Sequence, residues 1–177
     1  MLYTGAFVLT LNAPNTPTGC KVLMPQTLYW DDVEIGHNLH TRLLDIDATG
    51  IRSFAEKFDP QPYHLDRDAA EASLFGGLCA SGWHVSALMM KLISEELIKE
   101  GFALIGSKKV PWLEWYRPVF EGDTISAHAT ITEKTVLEGE TDGGLVGFDI
   151  NVDNQDDKEV MALSAFLIIQ KKEATNV

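Results

Sequence analysis

The chain has 177 residues, an apolar fraction of 45% and a net charge of −12, with an isoelectric point near 4.7. That length fits one domain able to bury most of the surface its unfolded chain exposes, and the apolar fraction argues against disorder. The acidic balance disfavours nucleic-acid and anionic-membrane partners, and no apolar run is long enough to span a bilayer.

Residues 1–24, MLYTGAFVLTLNAPNTPTGCKVLM, join a short apolar patch to a Pro/Asn/Thr-rich run without a basic start. A signal peptide needs a positive first region and a longer apolar core. A flexible N-terminal arm is therefore expected, with Met24 as an alternative start and the domain over 25–177. The stretch 27–46 ends in a strand-like run after a turn at Gly36. ATGIRSFAEKF (48–58) predicts a helix capped by Asp47 or Thr49 and stopped by Pro60. DRDAAEA (66–72) predicts a short helix whose Asp66 and Asp68 suit the dipole at its start. FGGLCASG (75–82) is a small-residue loop.

The longest predicted helix runs from Trp83 to Glu100 and closes at Gly101. Val85, Leu88, Met89, Leu92, Ile93 and Leu97 repeat at the three–four spacing of a buried stripe. Trp83, Ala87 and Met90 add apolar residues on a neighbouring face, so sheet is expected to wrap this helix. Four strand-like segments follow, at 107–119, 123–137, 144–154 and 159–169. They are separated by turn-rich connections, and Ile125, Ala127, Ala129 and Ile131 alternate clearly. The layout is α+β in a single domain, an antiparallel sheet wrapped around a long central helix. That arrangement is the hotdog fold.

The stretch FDPQPYHLD (58–66) packs two prolines, two carboxylates, one histidine and an amide into a short frame. Each proline fixes its own φ and holds the residue before it extended. One reading is a rigid connector with solvated Asp59 and His64; the other is an acid–base pair on a preset frame. Geometry sets a condition on the second. Five fully extended steps of roughly 3.1 Å would part Asp59 from His64 by about 15 Å, too far for one water to bridge. The chain must therefore bend near Pro62–Tyr63.

DPQPYH followed by FGGLCASG resembles the signature of the MaoC-like dehydratases, which include R-specific enoyl-CoA hydratases. Asp59, Pro62 and His64 match its Asp-x-Asn-Pro-x-His pattern, and Gly82 follows at that family's spacing. EWYRPVFEGDTI (114–125) resembles its Arg-Pro to Gly-Asp strand–turn. Gln61 stands where Asn is usual, and Ser81 and Trp83 replace the His and Met that often flank the glycine. The resemblance implies a hydro-lyase adding water to, or removing it from, a 2-enoyl or 3-hydroxyacyl thioester with R stereochemistry. Asp59 and His64 would handle the water and its protons, with Gln61 orienting it. The backbone N–H of Gly82 would meet the oxyanion, and Ser81 and Trp83 would shape the pocket. Which of Asp59 and His64 takes the proton stays open.

The expected partner is an acyl-CoA or acyl-carrier-protein thioester, with coenzyme A as part of the substrate and no separate cofactor. The far-apart Cys20 and Cys79 are expected to stay reduced, in a cytoplasmic setting. His37, His40 and His128 read as surface or strand residues, and without an HExxH-type set no metal is expected. His84 reads as helix packing, and Met89–Met90 as core. Cys79 reads as a small buried residue. Arg117, Lys108 and Lys109 read as solvated charges before phosphate ligands. A hotdog thioesterase or a non-catalytic acyl-thioester-binding module are the alternatives, although EIGHNL only superficially echoes a thioesterase run. A homodimer is expected, because exposed sheet edges invite pairing, and the long C-terminal strands are the expected edges.

Overall fold

The computed structural model describes residues 26–173 apart from 138, 140 and 141. The expected arm over 1–24 lies outside the described residues. A 3₁₀ turn at Trp30–Asp32 leads through Gly36 into two short strands, β1 (Asn38–His40) and β2 (Leu44–Asp45). Helix α1 (Ala48–Phe58) follows, then two short helices, α2 (Pro62–Leu65) and α3 (Arg67–Glu71), and the long α4 (Gly82–Glu100). Four long strands complete the chain: β3 (Leu104–Trp115), β4 (Thr124–Val136), β5 (Gly143–Asn154) and β6 (Glu159–Gln170).

Helices α1, α3 and α4 each begin where a side chain satisfies a free N–H. Asp47 accepts from the Gly50 N–H at 2.9 Å to start α1, and Asp66 accepts from Ala69 at the same distance to start α3. Gly101, at φ +87°, ends α4 in the left-handed region, where its N–H reaches the Ile98 carbonyl. The predicted short helix over 66–72 is thus shorter by its two cap residues, Asp66 and Ala72, and α2 is an additional single turn begun by Pro62 at the first helical position.

The six strands form one antiparallel sheet in the order β1-β4-β5-β6-β3, with β2 also pairing β4. Inward residues alternate along β4, where Ile125, Ala127, Ala129 and Ile131 are all buried. They meet Val85, Met89, Leu92, Ile93 and Leu97 of α4 in one core. Truncating Leu97 to Ala is expected to cost about 2–5 kcal/mol. This is the hotdog architecture in one domain.

Two expectations change. The sheet does not wrap the whole apolar circumference of α4: Trp83 and Ala87 are exposed and Met90 is half-buried. The C-terminal strands are not edges either. β6 lies between β5 and β3 and is buried along most of its length, whereas β3 is bonded on one side only among the described residues. Strand order depends on long-range pairing, which local alternation does not encode.

Candidate active site

Helix α1 stops at Asp59, whose N–H donates to the Ala55 carbonyl at 3.0 Å before Pro60 removes the next donor. The Gln61 N–H then turns back to the Asp59 carbonyl at 2.7 Å, and Pro62 opens α2. That single turn supplies the bend that a shared water requires. It brings His64 Nε2 to 3.7 Å from Asp59 Oδ2.

The second ring nitrogen of His64 is fixed. Nδ1 lies 2.7 Å from the carbonyl oxygen of Cys79. A carbonyl only accepts, so Nδ1 carries the hydrogen, and in the neutral ring Nε2 presents its lone pair to Asp59 and the cavity. His64 is buried at 5% exposure, and the Tyr63 ring stands edge-on to it, 4.5 Å away. Ser81 fixes the carboxylate. Its hydroxyl donates to Asp59 Oδ2 at 2.6 Å and accepts from the Trp83 N–H at 3.2 Å, so the N-cap of α4 also orients the acid.

Two acceptors 3.7 Å apart suit one water donating to both. With hydrogen bonds of about 2.8 Å, the water oxygen would subtend about 83° between Nε2 and Oδ2. That angle is close enough to the span of the two O–H bonds for both to be used. Its lone pairs would then face the cavity.

Gly82 is the first helical residue of α4, so its N–H has no acceptor within the helix. The Trp115 indole lies across it and donates to the Gly82 carbonyl at 2.9 Å and to Ser86 Oγ at 3.3 Å. A Cβ at position 82 would stand 2.8 Å from Trp115 Cε2, so only glycine fits under that ring. Asp59, His64, Ser81, Gly82, Trp83 and Trp115 all line one cavity of about 430 Å³, with Arg117 also on its wall. A second cavity, of about 470 Å³, opens between α4 and β3. Its walls include Met89, Met90, Ile93, Trp112 and Leu167.

Gln61 is not brought into this group: it is exposed and absent from the first cavity's wall. Arg117 is exposed and donates to the Glu159 carbonyl. Lys108 is exposed, and the Lys109 amine sits 4.1 Å from the centre of the Phe166 ring. His37 pairs with Glu100, and His40 meets His128 on the sheet surface. Burial pushes the Cys79 thiol up from its ordinary range, and its sulfur lies 3.8 Å from His64 Nδ1. His84 is buried and stacked on Phe54 at 4.7 Å. Among the described residues no group of three or more His, Cys, Asp or Glu side chains is placed to hold a metal ion. No helix there is long and apolar enough to cross a membrane.

Sequence reasoning missed the Cys79 carbonyl that sets the His64 tautomer, and it missed Trp115. The second had a signal, since Trp115 stands two residues before the Arg117–Pro118 pair. The first had none, because a carbonyl has no residue type.

The family model described as "MaoC like domain" matches residues 32–147, most of the described chain. The chain belongs to the MaoC-like domain family. It is 26% identical over 144 residues to the uncharacterized protein YdeM of Bacillus subtilis (strain 168), a match spanning 80% of this chain and 98% of that one. Among solved structures it is similar to the MaoC-like dehydratase from Rhodospirillum rubrum. There the identity is 31%, the TM-score 0.71, and the coverage 83% of this chain and 99% of the other. The R-hydratase PhaJ1 from Pseudomonas aeruginosa shares the fold at a TM-score of 0.63 and 23% identity, covering 86% of this chain and 95% of that one. The family-model match spans the α1–α2 bend and the start of α4, where Asp59, His64 and Gly82 lie.

Proposed function

We propose that this protein is a cytoplasmic hydro-lyase that adds water to a 2-enoyl thioester, or removes it from the 3-hydroxyacyl thioester, with acyl-CoA as substrate. The observation that carries this reading is the 3.7 Å approach of His64 Nε2 to Asp59 Oδ2 beside the open N-terminus of α4. The two acceptors hold one water by both hydrogens. As its oxygen attacks the β carbon, one of them takes a proton, and the pair returns a proton to the α carbon. The pair acts as a unit. The thioester oxygen gathers negative charge during the attack, and the Gly82 N–H, backed by the helix dipole, is the donor that meets it. The apolar second cavity suits the hydrocarbon chain.

Support comes from the family, from the R-hydratase named among its structural neighbours, and from a donor set that needs no cofactor. Because hydroxyl and proton both come from the same side of the site, syn addition is expected. The R configuration rests on the family resemblance. Incubating 2-enoyl-CoAs with the enzyme in deuterated water and resolving the product tests both parts. Anti addition would reject the shared water, while free thiol without loss of the double bond would replace this reading with a thioesterase.

A homodimer belongs to the same proposal. Among the described residues β3 has one free edge, and Ile105 and Val110 on it are more than half exposed, a liability that pairing with a second copy removes. Light scattering at micromolar concentration should give the dimer mass, and Val110→Lys should lower it. A wild-type monomer would sink the idea.

A further inference from the structure

Among the described residues Trp83 alone lines both cavities. It sits at the second position of α4, one residue after Gly82, where the thioester carbonyl would be held. Its ring is thus the described side chain shared by the cavity where the substrate would be anchored and the apolar cavity beyond it. The two indoles there are held very differently. Trp115 is fixed by two hydrogen bonds from its ring nitrogen, to Gly82 O and Ser86 Oγ. The Trp83 ring makes no hydrogen bond among the described residues and is 62% exposed. It is held by an edge contact with Trp115, at 5.0 Å between centroids and 80° between planes. One ring is pinned by hydrogen bonds and the other only by the ring contact.

We propose that Trp83 is a gate between the two cavities and sets which acyl chains the site accepts. This inference rests on the hydro-lyase reading and specifies its substrates. Short enoyl groups stay within the first cavity, on the near side of the gate. Longer chains must displace the Trp83 ring from Trp115 before they gain the apolar wall formed by Met89, Met90, Ile93 and Leu167. An aromatic pair of this kind is worth about two- to tenfold in an equilibrium, and each methylene moved from water to an apolar wall about fourfold. Two or three methylenes beyond the gate therefore outweigh its cost. The chain-length profile should show a step rather than a steady rise, with the step set by Trp83.

The test compares kcat/KM for four-, six-, eight- and ten-carbon 2-enoyl-CoAs in the wild type and in Trp83→Ala. The ratio of eight- to four-carbon values should rise about two- to tenfold in the variant. Adding Met90→Trp, which fills the second cavity, should bring the ratio back down. An unchanged or falling ratio in Trp83→Ala, or in Trp83→Leu if the Ala variant does not fold by circular dichroism, overturns the gate. If no protein hydrates any enoyl-CoA, the hydro-lyase reading has failed, and the gate is judged on binding. Calorimetry with saturated octanoyl-CoA and butyryl-CoA should then show the same shift in the ratio of Kd values. No shift there rejects the gate as well.

Discussion

The two ends of α4 are built for opposite purposes. At the C-terminal end the backbone closes on itself. Gly101 turns left-handed, its N–H returns to Ile98, Phe102 returns to Leu97, and the Gly101 carbonyl accepts from Leu28. At the N-terminal end Gly82, whose N–H has no acceptor within the helix, lines a cavity, and the cap residue Ser81 donates its hydroxyl hydrogen to Asp59. Closing a helix end satisfies groups that would otherwise be costly to bury. Leaving an end open beside a carboxylate and a histidine keeps donors available for a substrate. One glycine serves backbone shape, and the other serves close approach.

Breaking the open end at its side chains should have the largest effect. Asp59→Asn and His64→Ala are each expected to lower enoyl-CoA hydration by about 10²–10⁴, the usual contribution of positioned acid–base groups. Following loss of the enoyl absorbance under single-turnover conditions checks this. Equal rates in parent and variant would leave the two side chains as connector residues.

The paired glycines give the sharper contrast. In Gly82→Ala the new methyl meets Trp115 at 2.8 Å, so the indole must move and the thioester with it. A displacement of that order is expected to cost about a hundredfold in rate. Gly101→Ala forces a Cβ into the left-handed region, at φ +87°, and is expected to cost about 1 kcal/mol of stability with kcat/KM unchanged. Thermal denaturation and kinetics on both variants separate the two ends. Identical behaviour of the pair would mean that the open end has no special role.

Much of this design could be read in the residues. The three–four spacing of Val85 to Leu97 marked α4, Gly101 marked its end, and the alternation of Ile125 to Ile131 marked β4's inward face. Asp59, His64 and Gly82 were visible as types at a spacing. Their meeting was visible only as a condition, because proline restricts the residue before it but does not dictate that the following residues make a turn. The rest was hidden for definite reasons. β3 as the free edge follows from strand order. The His64 tautomer follows from a backbone carbonyl, and the role of Trp115 follows from a contact across 33 residues of chain. Gln61, an amide where the motif usually has Asn, is exposed and absent from the cavity wall, a placement its residue type does not reveal.

The smallest effect concerns His84, in the first turn of the same open end. Burial lowers its pKa from the ordinary imidazole value of 6.5, with the proximity of His64 acting the same way and Asp47 opposing. A cation at a helix N-terminus is disfavoured by the dipole as well. Among the described residues its Nδ1 has no hydrogen-bond partner. Above the unfolded-chain value neither state binds the proton, and stability is level with pH. As the pH falls through 6.5 the unfolded chain takes up a proton that the folded chain refuses, so stability declines until the folded value is passed. His84→Phe keeps a ring to stack on Phe54 and removes both the titration and the orphan nitrogen. It should raise the midpoint of thermal unfolding by about 2–4 °C at neutral pH, as about 1 kcal/mol does in a domain of this size. The gap between variant and parent should widen toward pH 5. Melting curves at pH 8, 6.5 and 5 read that gap, and a gap that narrows on acidification would show that His84 is not the group responsible for the acid loss.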